Sequence, residues 1–253
     1  MIDTFAEIPE GKKLYFASDF HLGIPDRENS LQREKKIIRW LSAIEDDAAG
    51  IFLVGDIFDF WFEYKHTIPK GFTRFLGKLA ELTDSGIPVI IFTGNHDMWM
   101  FDYLPQELNL TLHRSSVVYE IRGKKVMIGH GDGLGPGDLA YKFYKKIFNN
   151  AFCQWLFEWL HPNIGMAVAN FWSKKSRSRE NENALNNEAE WLVQYCKKIE
   201  EQHHHDYYIF GHRHLASEVS LNGSSTYLNL GEWINQCTFA IYDNGRITLS
   251  KFD

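Results

Sequence analysis

The chain is poor in cysteine. Cys153, Cys196 and Cys237 are scattered and form no C-x-x-C pair. A disulfide framework and a thiolate zinc cluster are therefore both disfavoured, and ordinary buried thiols in a reducing cytoplasm are expected. Net positive charge is absent as well. The formal charge is -6, so no global basic field argues for a nucleic-acid partner, and any anionic ligand must be met locally. No window approaches the ~20 consecutive apolar residues of a membrane-spanning helix. Met1 to Phe5 carries neither a basic nor an apolar leader pattern, so no signal peptide is expected. Repeats and low-complexity tracts are missing. His203-His204-His205 is internal and closes an expected helix, where cations suit the helix C-terminus. Nothing in the sequence calls for an obligate protein partner.

What remains is ordinary for a globular protein, with 44% hydrophobic and 24% charged residues. Residues 1–253 are read as a single domain. Five short clusters of metal-ligand residues stand out. They are Asp19-Phe20-His21, Gly55-Asp56-Ile57-Phe58-Asp59, Gly94-Asn95-His96-Asp97, Gly129-His130-Gly131-Asp132 and Gly211-His212-Arg213-His214. Each follows a short apolar run: Lys13–Ala17, Ile51–Val54, Pro88–Phe92, Val126–Ile128 and Tyr207–Phe210. Such runs predict buried strands, which sets every cluster at a strand's C-terminal end, where open α/β sheets carry their sites. Helical periodicity over Leu31–Ala48 and Phe72–Leu82 alternates with the early strands. Turn signals at Gly123, Asn222-Gly223 and Asn244-Gly245 predict hairpins later. A two-sheet sandwich flanked by helices is expected.

A lone Asp or His at a strand end is usually a turn or hydrogen-bonding residue. Five together supply three Asp/Asn oxygens and four imidazoles: Asp19, His21, Asp56, Asn95, His130, His212 and His214. That set suits two divalent cations with Asp56 able to bridge them, and mixed N/O donors fit Mn, Fe or Zn. Two such ions ~3.5–4 Å apart activate water and clamp phosphoryl oxygens. His96 suits a general acid or a donor to the transition state, with Asp97 fixing its tautomer. Asp59 and Asp132 are candidates to orient histidine ligands; local turn chemistry is an equal reading for all three aspartates.

The spacing is uneven. Asp19, Asp56, Asn95 and His130 follow one another at 37, 39 and 35 residues, whereas His212 lies 82 beyond His130. The extra length falls at 139–186. It carries Phe143, Phe148, Phe152, Trp155 and Trp159 and then a basic stretch, Lys174-Lys175-Ser176-Arg177-Ser178-Arg179. Pro162 and Gly165 are expected to split it into two helices. A hairpin packed on the core with a solvated basic end is the plainer reading; an apolar groove beside a phosphate-binding patch is the functional one.

The clusters, in this order, resemble the calcineurin-like metallophosphoesterase superfamily over residues 14 to about 242. That resemblance implies a four-layer α/β/β/α sandwich. It implies one ion on Asp19, His21, Asp56 and His214 and another on Asp56, Asn95, His130 and His212. A narrower similarity, to the UDP-2,3-diacylglucosamine diphosphatase family of lipid A biosynthesis, rests on Gly55 to Trp61, His130 to Leu134, Tyr141, Ser173 to Arg179 and Leu230-Gly231-Glu232-Trp233. It implies a helical lid at 139–186, two manganese ions, and hydrolysis of UDP-2,3-diacylglucosamine to UMP and 2,3-diacylglucosamine 1-phosphate. Substrate contacts implied are Asn95, His96, Asp138, Tyr141, Ser176, Arg177, Arg179 and His212. A lipid-linked nucleotide sugar as substrate implies a cytoplasmic protein peripheral to the membrane. The chain departs from that family at His96, where Arg is usual, and at Glu180 and Asn183. Hydrolysis of another nucleotide or phosphodiester, and a metal-binding scaffold without activity, are the alternatives.

Overall fold

The computed structural model describes residues 3–5, 7–135, 139–168 and 188–253. Each apolar run forms a strand close to its expected bounds: β2 (Lys13–Ala17), β3 (Ala48–Val54), β4 (Val89–Phe92), β7 (Lys124–Gly129) and β8 (Tyr207–Phe210). The first two helices are α1 (Arg27–Ile44) and α2 (Thr73–Asp84). Helix α1 starts a turn earlier than periodicity alone suggested, because the Asp26 carboxylate accepts from the Asn29 amide and caps it. The turns at Gly123, Asn222-Gly223 and Asn244-Gly245 connect β6 (Val117–Ile121) to β7, β9 (Ser217–Ser220) to β10 (Thr226–Asn229), and β11 (Thr238–Asp243) to β12 (Arg246–Lys251). The sequence reading missed three short elements: β1 (Asp3–Phe5), α3 (Tyr103–Leu108) and β5 (Thr111–His113).

The strands form two six-stranded sheets. One has the order β12-β11-β2-β3-β4-β5 and the other β1-β6-β7-β8-β10-β9. Alternation along the strands builds the layers. Leu14, Phe16, Phe52, Val54, Ile90 and Phe92 face Ile128, Ile209 and Leu228 of the opposite sheet. Tyr15, Ala17, Ile51, Leu53, Val89 and Ile91 point outward, onto Ile37, Trp40, Leu41, Phe75 and Leu79 of α1 and α2. Beyond the second sheet, Tyr208 and Phe210 pack on Leu192 and Cys196 of α6 (Glu188–Glu200). The result is the α/β/β/α sandwich. Strands β2, β3 and β4 are mutually parallel, as are β7 and β8, and the five ends that carry the expected ligands open at one mouth.

Between β7 and α6 stand α4 (Leu139–Phe148) and α5 (Ala151–Glu158), followed by a helical stretch over 162–168. The break expected at Pro162 and Gly165 comes earlier as well. Asn150 accepts from the amides of Phe152 and Cys153 and so starts α5, while Pro162 opens the next turn, a position proline tolerates. The remainder of the expected 139–186 insertion lies outside the described residues.

At the far end of the sandwich, Glu200 closes α6 onto β8 and β10. Its carboxylate accepts from the His205 amide, Tyr208 Oη and Ser225 Oγ at 2.9, 2.7 and 2.8 Å, and His204 lies against it. This explains the histidine run better than a helix dipole does. Burial alone would raise the Glu200 pKa, but these donors hold it down to about 2. Stability from a lowered carboxylate is fully present above its ordinary value and is lost as pH falls toward 2. Glu200→Gln is therefore expected to cost about 2 kcal/mol at pH 7. The gap to wild type should narrow steadily between pH 5 and pH 3 in urea-denaturation midpoints.

Candidate metal centre

The loops after β2, β3, β4, β7 and β8 bring the seven expected ligands together. The backbone is bent to do this: Asp19, His21, Asp56, His212 and His214 all have positive φ, between 44° and 68°. Left-handed backbone at non-glycine residues costs of order 1–3 kcal/mol each and persists where surrounding bonds enforce it. Those bonds are Asp19 N–H to Gly55 O, His21 N–H to Asp56 O and Trp233 N–H to Asp19 O, at 3.0, 2.9 and 3.1 Å. The neighbouring glycines leave room. A Cβ on Gly94 would sit 2.2 Å from Asp56 Oδ1, and one on Gly211 2.5 Å from Asp19 Oδ2.

Two donor groups take in the expected ligands, beside a third of His21, Asp59 and His96. In the first, ligand atoms of Asp19, His21, Asp56 and His214 lie within 4.8 Å of one another; in the second, those of Asp56, His130 and His212 do. His21 Nε2 is 3.0 Å from His214 Nε2 and 3.8 Å from both Asp19 Oδ1 and Asp56 Oδ2. His130 Nε2 is 3.1 Å from Asn95 Oδ1 and 3.3 Å from Asp56 Oδ2. Asp56 Oδ2 thus faces both groups. Each aspartate is held by its other oxygen: His212 N–H donates to Asp19 Oδ2 and His96 N–H to Asp56 Oδ1. His130 donates Nδ1–H to the Val54 carbonyl at 2.9 Å, the tautomer that leaves Nε2 for a cation.

The electrostatics fit positive charge at this place. Asp19 and Asp56 are almost fully buried. Burial pushes both carboxyls up, but His214 and His130 hold Asp19 below its ordinary value, and His130, His96 and His21 hold Asp56 well below the carboxylate range. His130 is drawn down by burial and driven well above its usual value by Asp56. Asp97 is pushed up to about 7 by burial and by Asp56, which outweigh the Gly94 and Phe58 amides and His130.

The structure redistributes three supporting roles. Asp97 does not face His96. Its Oδ1 accepts from Gly94 N–H at 2.7 Å, and its Oδ2 from Ile57 N–H at 2.7 Å and Phe58 N–H at 3.3 Å, which ties the second and third loops together. The His96 ring is fixed instead by Asp59, whose carbonyl oxygen lies 3.0 Å from Nδ1. The Asp59 carboxylate stands 3.5 Å from Nδ1 of the candidate ligand His21. Asp132 takes Tyr141 Oη at 2.5 Å and Lys145 Nζ at 2.6 Å. It anchors α4, and Tyr141 points at it. Asp138, Ser176, Arg177 and Arg179 lie outside the described residues, as do Glu180 and Asn183.

Two further residues support these loops. Glu232 is buried and accepts from the amides of Asn235 and Gln236, and Gln236 in turn holds the His214 carbonyl at 3.1 Å. Arg33 is buried on α1 and donates to the carbonyls of Phe20, His21 and Ile24 at 3.2, 3.0 and 2.6 Å. It staples the first ligand loop. Nothing in the sequence marks it, since α1 also carries Arg27 and Arg39. Arg33→Met keeps the stem and removes the three bonds. Affinity for Mn²⁺ is expected to fall about 10–100-fold, read by calorimetric titration of metal-stripped protein.

Comparison with known proteins agrees with this geometry. The family model for calcineurin-like phosphoesterase matches residues 12–216. A UDP-2,3-diacylglucosamine hydrolase of Porphyromonas gingivalis is 36% identical over 256 residues, spanning 95% of this chain and 98% of that protein. One from Proteus mirabilis is 29% identical over 94% of this chain and 98% of its own length. One from Histophilus somni is 26% identical over 88% and 92%. The chain belongs to the calcineurin-like phosphoesterase family.

Proposed function

We propose that the protein hydrolyses the pyrophosphate of UDP-2,3-diacylglucosamine at a two-metal centre, giving UMP and 2,3-diacylglucosamine 1-phosphate. The observation that carries the chemistry is Asp56, whose Oδ2 lies between two groups of ligand atoms. The substrate reading is supported by the relatives matched along nearly their whole length.

In this reading Asp19, His21, Asp56 and His214 hold one ion, and Asp56, Asn95, His130 and His212 the other. The nitrogen and oxygen donors without thiolate favour manganese. Two divalent ions supply an activated water and a clamp on the phosphoryl oxygens. His96 does the rest from the protein side. Its Nδ1 faces a carbonyl, which only accepts, so Nδ1 carries a proton and donation from Nε2 requires the imidazolium. The Asp59 carboxylate, 3.7 Å from Nδ1, supports that cation. The imidazolium then places a hydrogen bond on a phosphoryl oxygen as charge develops. Asp97 positions the two loops.

Phe143, Phe152, Trp155 and Trp159 are 62%, 63%, 50% and 74% exposed. Single exposed aromatics are common, but a contiguous apolar face marks a binding surface. Here it serves as a helical lid for the acyl chains and rests against the membrane surface that supplies them. No described helix is long and apolar enough to cross a membrane. The protein works from the cytoplasmic side.

Release of UMP from UDP-2,3-diacylglucosamine should fall by about 10²–10³-fold or more in Asp56→Ala and Asn95→Ala, measured with saturating manganese. Chelation should stop the wild-type reaction, and manganese should restore it better than magnesium. Equal turnover of UDP-sugars lacking acyl chains would sink the lipid assignment.

A further inference from the structure

Among the described residues, polar contacts tie the hairpin of α4 and α5 to the rest of the protein on two sides: Tyr141, Lys142 and Lys145 reach the loop after β7, and Phe148 takes a bond from the loop after β4. On one side, Lys145 Nζ reaches Asp132 Oδ2 at 2.6 Å and the Asp132 carbonyl at 3.0 Å; Asp132 is two residues past His130. On the other side, Trp99 Nε1–H donates to the Phe148 carbonyl at 2.8 Å; Trp99 is three residues past His96. The Phe148 carbonyl belongs to the last turn of α4, where carbonyls have no partner within the helix, so this bond fixes the helix end. Rings reinforce it. Phe157 of α5 lies 4.9 Å from Trp99 and 4.7 Å from Phe62, and Phe148 meets Trp99 edge-on at 5.5 Å.

Among the described residues, much of the apolar face of both helices is exposed. Leu139 and Phe143 of α4 are exposed, as are Phe152 and Trp155 of α5. A hairpin held only by apolar contacts would slide, because such contacts are non-directional. A lysine on a buried carboxylate and an indole on one carbonyl are directional. They set the hairpin at a fixed offset from His130 and Asn95.

Resting on the function proposed above, we propose that Lys145 and Trp99 are positioning residues that determine specificity. By pinning the hairpin to the two ligand loops, they convert binding of a lipid substituent into placement of the scissile phosphorus. Binding energy from a remote group raises turnover only when it is used to orient the reacting centre. Neither side chain touches the donor atoms described above. A small, chain-free phosphodiester does not engage the hairpin and gains nothing from the pins.

The test compares Lys145→Met, Lys145→Arg and Trp99→Phe with wild type, each manganese-loaded and checked for metal content and thermal midpoint. Two substrates are used: UDP-2,3-diacylglucosamine and bis(p-nitrophenyl) phosphate. With the lipid, kcat/KM should drop about 10–100-fold in Lys145→Met and Trp99→Phe, with the larger part in kcat. With the small diester, both should stay within about twofold of wild type, because only remote positioning is removed. Lys145→Arg, which keeps the cation, should recover most of the lipid activity. Equal loss on both substrates, or no loss on either, overturns the positioning role. Wild type without preference for the acylated substrate would instead overturn the function on which it rests, and the two failures are read from different lanes of the same experiment.

Discussion

A buried carboxylate with two different oxygens is the constraint around which this mouth is built. Asp56 gives Oδ1 to the His96 amide and leaves Oδ2 between two sets of donors. Each requirement reaches outward. Gly94 must lack a side chain because Asp56 passes over it. The backbone of Asp56 turns left-handed so that its carbonyl can receive His21 N–H. Asp97 gathers the amides on either side so that the second and third loops stay in register. An isolated buried charge of this kind would be ruinous, and it is tolerated because imidazoles converge on it from both sheets.

Much of this could be read from the order of residues. Five apolar runs, each ending at a ligand, predicted both the strands and their common mouth, since strand ends are set by hydrophobic pattern and glycine. The tandem of parallel strands and late hairpins followed from helical periodicity and turn residues. What stayed hidden depends on tertiary contacts. β1 and β5 have three residues each and exist because β6 and β4 pair with them. Arg33 looks like any solvated helix arginine until α1 packs under the first loop. Asp97 is adjacent to His96 in sequence, yet its side chain turns toward backbone amides, and Asp59, far off in sequence, serves the imidazole. Proximity along the chain is a poor guide to which carboxylate serves a histidine.

The aromatic excess was legible as a total and not as an arrangement. Its members divide by partner. Phe148 and Phe157 are bound into the Phe62 and Trp99 group, and Phe143, Phe152, Trp155 and Trp159 face outward. Helical spacing alone does not separate these sets, because the hairpin breaks at Asn149-Asn150, and each helix restarts its own phase there.

Ligands from both sheets meet at this mouth. Asp19, Asp56 and Asn95 extend one sheet; His130, His212 and His214 extend the other. Any cation held among them would cross-link the two halves of the sandwich, joining segments such as Asp19 and His212 that lie 193 residues apart along the chain. Such a site is complete only when the sheets have docked, so any cation bound there would favour the docked state. The ion load of a cell then bears on how long the docked state survives, as well as on catalysis.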